Sequence, residues 1–201
     1  MKVKICGVRS TEIALQAVEA GADALGFVFA TSKRQIGAEQ AREIIKELPE
    51  NIWKVGVFVN ESLEKIADIV EIAGLTHIQL HGEENPGHYV ALGKPIIKSL
   101  SISSDEDIKR LDTFKTDYIL LDSPPALYKG GNGTSFEWGL AAGNKNRGKI
   151  ILAGGLDSEN VKKAIDTVQP AMVDVSSGVE TDGEKDINKI RSFIKQAKGV
   201  S

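Results

Sequence analysis

The chain has 201 residues, a formal net charge of -3 at pH 7, 41% hydrophobic and 26% charged residues. That length buries a full core without a disulfide or a structural metal, and the mild negative charge argues against nucleic acid or an anionic membrane surface as a partner. Cys6 is the single cysteine, so no internal disulfide forms. With no apolar run of signal-peptide or membrane-span length, the expected setting is the reducing cytoplasm.

Short runs rich in Val, Ile and Phe alternate with stretches of helical period from end to end. The runs Val3–Cys6, Ala24–Phe29, Lys54–Val59, His77–Leu80, Ile96–Ser99, Tyr118–Asp122, Lys149–Ala153 and Met172–Val175 read as buried strands. Amphipathic helices are expected over Thr11–Ala20, Ala38–Leu48, Leu63–Ala73, Asp105–Phe114, Glu159–Val168 and Ile187–Ala197. Thr11, Ser62, Ser104 and Ser158 are candidate N-caps, because a hydroxyl there accepts from an orphan N–H. The fourth and sixth helices, near Pro86–Leu92 and Trp138–Gly143, are weakly marked. Strands alternating with helices imply parallel crossovers. Units of about 25 residues close into a (β/α)8 barrel, an α/β fold of the TIM-barrel class, spanning residues 1–201 as one domain. An open, doubly wound sheet is the alternative. The longest irregular stretch, Ser123–Thr134, follows the sixth strand, and its Leu127 and Tyr128 suit a lid or a subunit contact. Whether the protein is a monomer or a homodimer stays open.

Period-two alternation divides each strand into a helix-facing and an inward set. Val3 and Ile5, Ile78 and Leu80, Ile119 and Leu121, Val173 and Val175 must face the helices. That turns Lys4, Cys6, His77, Gln79, His81, Tyr118, Asp122, Asp174 and Ser176 inward. So polar a lining is costly as mere core, and Cys6, His81, Asp122 and Ser176 fall at strand C-terminal ends, where this fold places active sites. Each has a plainer reading as well. A lone cysteine is often a small buried hydrophobe, Asp122 can start the turn into Ser123-Pro124-Pro125, and His81 can be a surface histidine.

Glycine loops follow the sixth, seventh and eighth strands: Gly130-Gly131-Asn132-Gly133, Gly154-Gly155-Leu156 and Ser176-Ser177-Gly178. Glycine lets backbone N–H groups close on an anion, and barrels often hold phosphate on their last loops. Gly131, Gly133, Gly154, Gly155, Ser176, Ser177 and Gly178 are therefore candidate phosphate ligands. His77, His81 and His88 make no recognised zinc spacing, so no metal is expected, and there is no dinucleotide fingerprint.

Taken in order, Lys4-Ile5-Cys6-Gly7, Gly26-Phe27-Val28-Phe29 with Ser32-Lys33-Arg34, Gly56-Val57-Phe58-Val59-Asn60, Gln79-Leu80-His81-Gly82, Leu121-Asp122, Gly130-Gly131-Asn132-Gly133 with Phe136-Glu137-Trp138, Ala153-Gly154-Gly155-Leu156 and Asp174-Val175-Ser176-Ser177-Gly178-Val179-Glu180 resemble the phosphoribosylanthranilate isomerase family over essentially the whole chain. The resemblance implies an enzyme of tryptophan biosynthesis that takes a phosphosugar substrate through a cofactor-free Amadori rearrangement. By the same resemblance Cys6 matches the general base and Asp122 the general acid. Arg34 matches the anchor of the anthranilate carboxylate, and the glycine loops the phosphate grip. Lys4, His81 and Asp174 lie next to that set. The short Ala30-Thr31 loop and the Pro124-Pro125 and Lys129 of the strand-six loop depart from the family pattern without removing a matching residue. The acid must keep its proton near neutral pH, so partial burial should raise the Asp122 pKa. The base must lose one, so Lys4 and Arg34 are expected to lower that of Cys6. The histidine-pathway isomerase runs the same rearrangement with an aspartate at the end of its first strand, where this chain has Cys6. A non-catalytic phosphosugar-binding barrel would keep the glycine loops and lose the acid or the base.

Overall fold

The computed structural model describes residues 1–123 and 138–199. Eight parallel strands form a closed barrel: β1 (Lys2–Cys6), β2 (Ala24–Val28), β3 (Trp53–Phe58), β4 (His77–Leu80), β5 (Ile96–Ser101), β6 (Tyr118–Asp122), β7 (Ile150–Leu152) and β8 (Met172–Val175). Closure is made by β8 pairing with β1, in a register that sets Lys4 opposite Asp174. The open-sheet alternative is thereby set aside. Several strand ends differ from expectation. β5 runs on to Ser101, and β7 is short because Lys149 belongs to a 3₁₀ turn and Ala153 already leads into Gly154.

Around the barrel pack α1 (Thr11–Glu19), α2 (Ala38–Ile45), α3 (Leu63–Ala73), α4 (Asp105–Lys109), α5 (Val161–Val168) and α6 (Ile187–Lys198). None is long and apolar enough to cross a membrane. The expected helix Asp105–Phe114 splits into α4 and a 3₁₀ turn over Arg110–Thr113. Pro86–Leu92 and Trp138–Ala141 are 3₁₀ segments, as suits their weak periodicity. Two of the expected caps hold: Ser62 accepts from Lys65 N, and Ser104 forms a capping box with Asp107. Two are corrected. Ser10, not Thr11, caps α1 by accepting from Ile13 N. Ser158 does not cap α5; the turn before that helix is closed by Asp157, whose Oδ1 accepts from the backbone N–H groups of Glu159 and Asn160. The charged carboxylate oxygen is the stronger acceptor for these two N–H groups.

The helix-facing residues expected from alternation (Val3, Ile5, Ile78, Leu80, Ile119, Leu121, Val173 and Val175) all lie in the large core between strands and helices. Inside the barrel a second, smaller core of Ala24, Val55, Ile97, Leu120, Ile151 and Met172 seals the middle. Below it, Trp53 stacks on His77 at 4.0 Å between ring centroids, and Tyr118 tilts against Trp53. Above it the interior turns polar.

One element was not anticipated. After β8 the chain makes a small antiparallel hairpin from β9 (Glu180–Thr181) and β10 (Glu184–Lys185). Its turn is Asp182-Gly183, with φ of 54° and 84°. Such left-handed pairs close two-residue hairpins, and Asp-Gly is a sequence signal for them.

Candidate active site

Lys4, Gln79 and Asp174 form the floor of the barrel mouth. Lys4 is fully buried, yet it is charged, because its ammonium donates to Asp174 Oδ1 at 2.9 Å and to Gln79 Oε1 at 3.0 Å. Burial works against that charge, but Asp174 and Cys6 beside it prevail and hold Lys4 above the usual lysine range. The cost of burying such a pair is tolerated when the remaining donors and acceptors are matched. Here Gln79 completes the set: its amide nitrogen lies 3.1 Å from His81 Nδ1 and donates to Ser99 Oγ at 3.2 Å.

Cys6 and Asp122 stand at the C-terminal ends of β1 and β6, on the rim above this floor. Gly26 on β2 makes room for the first. A Cβ there would fall 2.8 Å from Cys6 Sγ and 3.2 Å from Lys4 Cε. Asp122 faces His81, with Oδ2 and Nε2 3.6 Å apart, and its Oδ1 accepts from Ser123 N. Burial pushes the Asp122 carboxyl above its ordinary range, against the pull of His81 and the Ser123 N–H. The same burial lowers His81, so the ring favours its neutral form. The expected rise of the Asp122 carboxyl by burial therefore agrees with the structure.

The base-side expectation needs correction. Burial raises the Cys6 thiol, and Lys4 and Lys185 only partly offset it. Arg34 cannot supply the missing charge, since its guanidinium makes a two-point pair with Glu180: Nε donates to Oε1 and Nη2 to Oε2, each at 2.7 Å. Glu180 is in turn bonded to the buried Lys185, which also donates to the Ser176 carbonyl at 3.0 Å. Ser176 Oγ reaches back to the Cys6 carbonyl at 3.2 Å. The unanticipated hairpin thus ties the Arg34 loop to the end of β1. A cleft of about 360 Å³ opens there, lined among others by Gly7, Arg34, Gln40, Glu180 and Lys185.

The loops after β7 and β8 pack directly on each other. A Cβ on Gly178 would lie 1.9 Å from the Leu156 carbonyl oxygen, so only glycine fits. Gly154 and Gly155 both have left-handed φ, 84° and 66°, and a Cβ on Gly154 would collide with Ser123. A small hollow lies between these loops, bounded by Asp122, Gly154, Gly155, Asp174, Ser176 and Ser177. Gly131 and Gly133, with the rest of the strand-six glycine loop and the lid residues Leu127 and Tyr128, lie outside the described residues.

The structure therefore gathers Lys4, Cys6, His81, Asp122 and Asp174 at one mouth, with Gly154, Gly155, Ser176, Ser177 and Gly178 along one side and Arg34 on another. The sequence reading did not assign roles to Gly26, Gln79, Glu180 or Lys185. Alternation did turn Gln79 inward, and the Asp182-Gly183 pair was a legible sign of the hairpin. Nothing local indicates that Glu180 reaches Arg34, 146 positions away.

The model of the family described as N-(5'phosphoribosyl)anthranilate (PRA) isomerase matches residues 3–196. The chain is 56% identical, over all of both chains, to the N-(5'-phosphoribosyl)anthranilate isomerase of Bacillus cereus, and equally so to that of Bacillus thuringiensis. Among solved structures it is similar to the phosphoribosyl anthranilate isomerase of Thermotoga maritima, with a TM-score of 0.89 and 45% identity over all of both chains. A crystal structure of that enzyme type in complex with reduced 1-(O-carboxyphenylamino)-1-deoxyribulose 5-phosphate matches with a TM-score of 0.85 and 44% identity, again over all of both chains. With a closed barrel, a polar mouth at its C-terminal end and matches of this extent, the chain belongs to the N-(5'-phosphoribosyl)anthranilate isomerase family.

Proposed function

We propose that Asp122 and Cys6 carry the two proton transfers by which this isomerase performs the Amadori rearrangement of phosphoribosylanthranilate in tryptophan biosynthesis. The observation that carries the assignment is their placement at the C-terminal ends of two strands, β1 and β6, of one mouth, above a shared network of Lys4, Gln79 and Asp174. Protonated Asp122 gives its proton to the ribose ring oxygen, and the C1′–oxygen bond breaks to leave an iminium. Cys6 thiolate then takes the proton from C2′, and the electron pair left behind neutralises the iminium as an enolamine. Tautomerisation yields the aminoketose.

The raised thiol fits this order of events. The iminium is a positive charge formed within reach of Cys6, and a cation at that distance favours the thiolate. Lys4, locked in place by Asp174, adds a fixed charge beneath it. Arg34, oriented by Glu180, holds the anthranilate carboxylate. The phosphate rests in the hollow between Gly154-Gly155 and Ser176-Ser177-Gly178, where glycine lets backbone N–H groups close on an anion; Gly131 and Gly133 are assigned to the same role from the sequence alone. One barrel, residues 1–201, supplies the activity without a cofactor, in the cytoplasm, as a monomer or a homodimer.

Phosphoribosylanthranilate is fluorescent, so generating it in situ and adding the protein reads turnover directly. Loss of the signal with the wild type and not with Cys6→Ala supports the base assignment. Equal loss with both would remove Cys6 from the mechanism while leaving the substrate in place.

A further inference from the structure

The floor of the mouth has a definite hydrogen-bond direction, and that direction begins at Lys4. An ammonium only donates, so the Gln79 side-chain oxygen must face Lys4, at 3.0 Å. The amide NH2 then points the other way. Its two hydrogens have two acceptors within reach, His81 Nδ1 at 3.1 Å and Ser99 Oγ at 3.2 Å. A donated bond into Nδ1 requires that nitrogen to be unprotonated. The neutral His81 ring must therefore carry its proton on Nε2, the atom that faces Asp122 Oδ2 at 3.6 Å. Gln79 is buried, with 1% of its surface exposed, and its amide has no room to be satisfied in the flipped sense: a reversed amide would set NH2 against an ammonium.

We propose that Gln79 is a positioning residue that fixes His81 as its Nε2–H tautomer, so that a histidine N–H, rather than a bare ring nitrogen, faces the general acid. The functional half of this inference rests on the assignment of Asp122 as that acid; the tautomer itself does not. The consequence is chemical. A bare Nε2 would accept the Asp122 proton and leave an imidazolium beside a carboxylate, which is the wrong starting state for an acid. An Nε2–H cannot accept it. It stabilises the carboxylate that forms once Asp122 has protonated the ring oxygen, and this interaction strengthens as charge develops. Lys4 thus acts on both sides of the mouth, as a charge beneath Cys6 and as the group that orients the amide. The charged and titratable groups around the ring are Asp122 on β6, Lys4 on β1, Asp174 on β8 and Lys98 on β5.

The test is ring ¹⁵N NMR of the full-length protein, with the His81 resonances assigned by loss in His81→Gln. The wild type should show neutral His81 protonated at Nε2. A ring protonated at Nδ1, or an even mixture, would overturn the proposal without any change at Gln79. Gln79→Met keeps the volume and removes the amide. It should release the tautomer to a mixture and lower kcat about tenfold with KM little changed, the size of one lost oriented hydrogen bond to a developing charge. Gln79→Glu places an acceptor at Nδ1. It should keep His81 doubly protonated to higher pH and lower kcat further, because Asp122 then ionises. An unchanged His81 spectrum together with unchanged kcat in Gln79→Met would overturn the positioning role. If the tautomer is as expected but Asp122→Asn turns over normally, the acid assignment fails and the tautomer assignment stands.

Discussion

His77 opens β4 and His81 follows its last residue, four positions on, and their surroundings differ completely. His77 closes the lower end of the barrel, stacked on Trp53 and paired through Nδ1 with Thr76 Oγ1 at 2.9 Å. His81 opens onto the mouth, between Gln79 and Asp122. Burial depresses both rings. At the lower end the result is an uncharged plug, because aromatic stacking and one hydroxyl satisfy it. At the upper end the neutral ring is one member of a set that includes a buried ammonium and carboxylate. The two ends of one barrel thus bury polar groups in opposite ways, one by removing charge and the other by pairing it.

Variants that break the upper arrangement should cost activity, and those at the lower end only stability. Asp122→Asn removes the proposed acid and should lower kcat by about 10²–10⁴-fold, with substrate affinity largely kept. In the wild type, kcat should fall as pH rises through the elevated Asp122 pKa, a limb that Asp122→Asn should lose; steady-state pH profiles of the two proteins check both points. Lys4→Met leaves Asp174 buried and unpaired, and should destabilise the fold by about 3–5 kcal/mol in denaturant unfolding. Asp174→Asn with Lys4→Met should recover a large part of that loss, because both charges then go together.

At the lower end the effect runs through pH. Burial lowers the His77 pKa from 6.5 to about 4. The unfolded chain therefore takes up that proton first as pH falls. Stability is fully present above about pH 6.5 and declines toward pH 4, by up to about 3 kcal/mol from this group. His77→Phe should flatten that part of the stability curve and leave kcat unchanged. A kcat change there would mean that the two ends of the barrel are coupled.

The smallest effect is expected at the hairpin. Glu180→Gln keeps its size but weakens the hold on Arg34 and Lys185. KM should rise about tenfold, roughly 1.4 kcal/mol, with a smaller change in kcat. A kcat loss larger than the KM change would move Glu180 from orienting Arg34 to shaping the base.

Much of this was legible without coordinates where the physics is local. Period-two alternation placed Lys4, Gln79, Asp122 and Asp174 inside the barrel, since each neighbouring position had to meet a helix. Ser62 and Ser104 were readable as caps for the same reason: the orphan N–H groups are their immediate neighbours. The errors share a different cause. Ser158 lost its cap to Asp157, which could take two donors in a turn whose shape local pattern does not specify. The Cys6 thiol was expected to be lowered by Lys4 and Arg34, but burial outweighs Lys4, and Arg34 is engaged by Glu180 from the far end of the chain.

The alternating apolar runs, the glycines and the ordered motifs determined by themselves that this chain is an eight-fold α/β barrel of the isomerase family, and which residues face its interior. Only the tertiary structure decided how those interior groups are charged and which way they donate. Alternation is set by backbone geometry within a strand, whereas protonation and hydrogen-bond direction depend on partners that closure of the barrel brings together: Asp174 to Lys4, Gln79 to His81, Glu180 to Arg34.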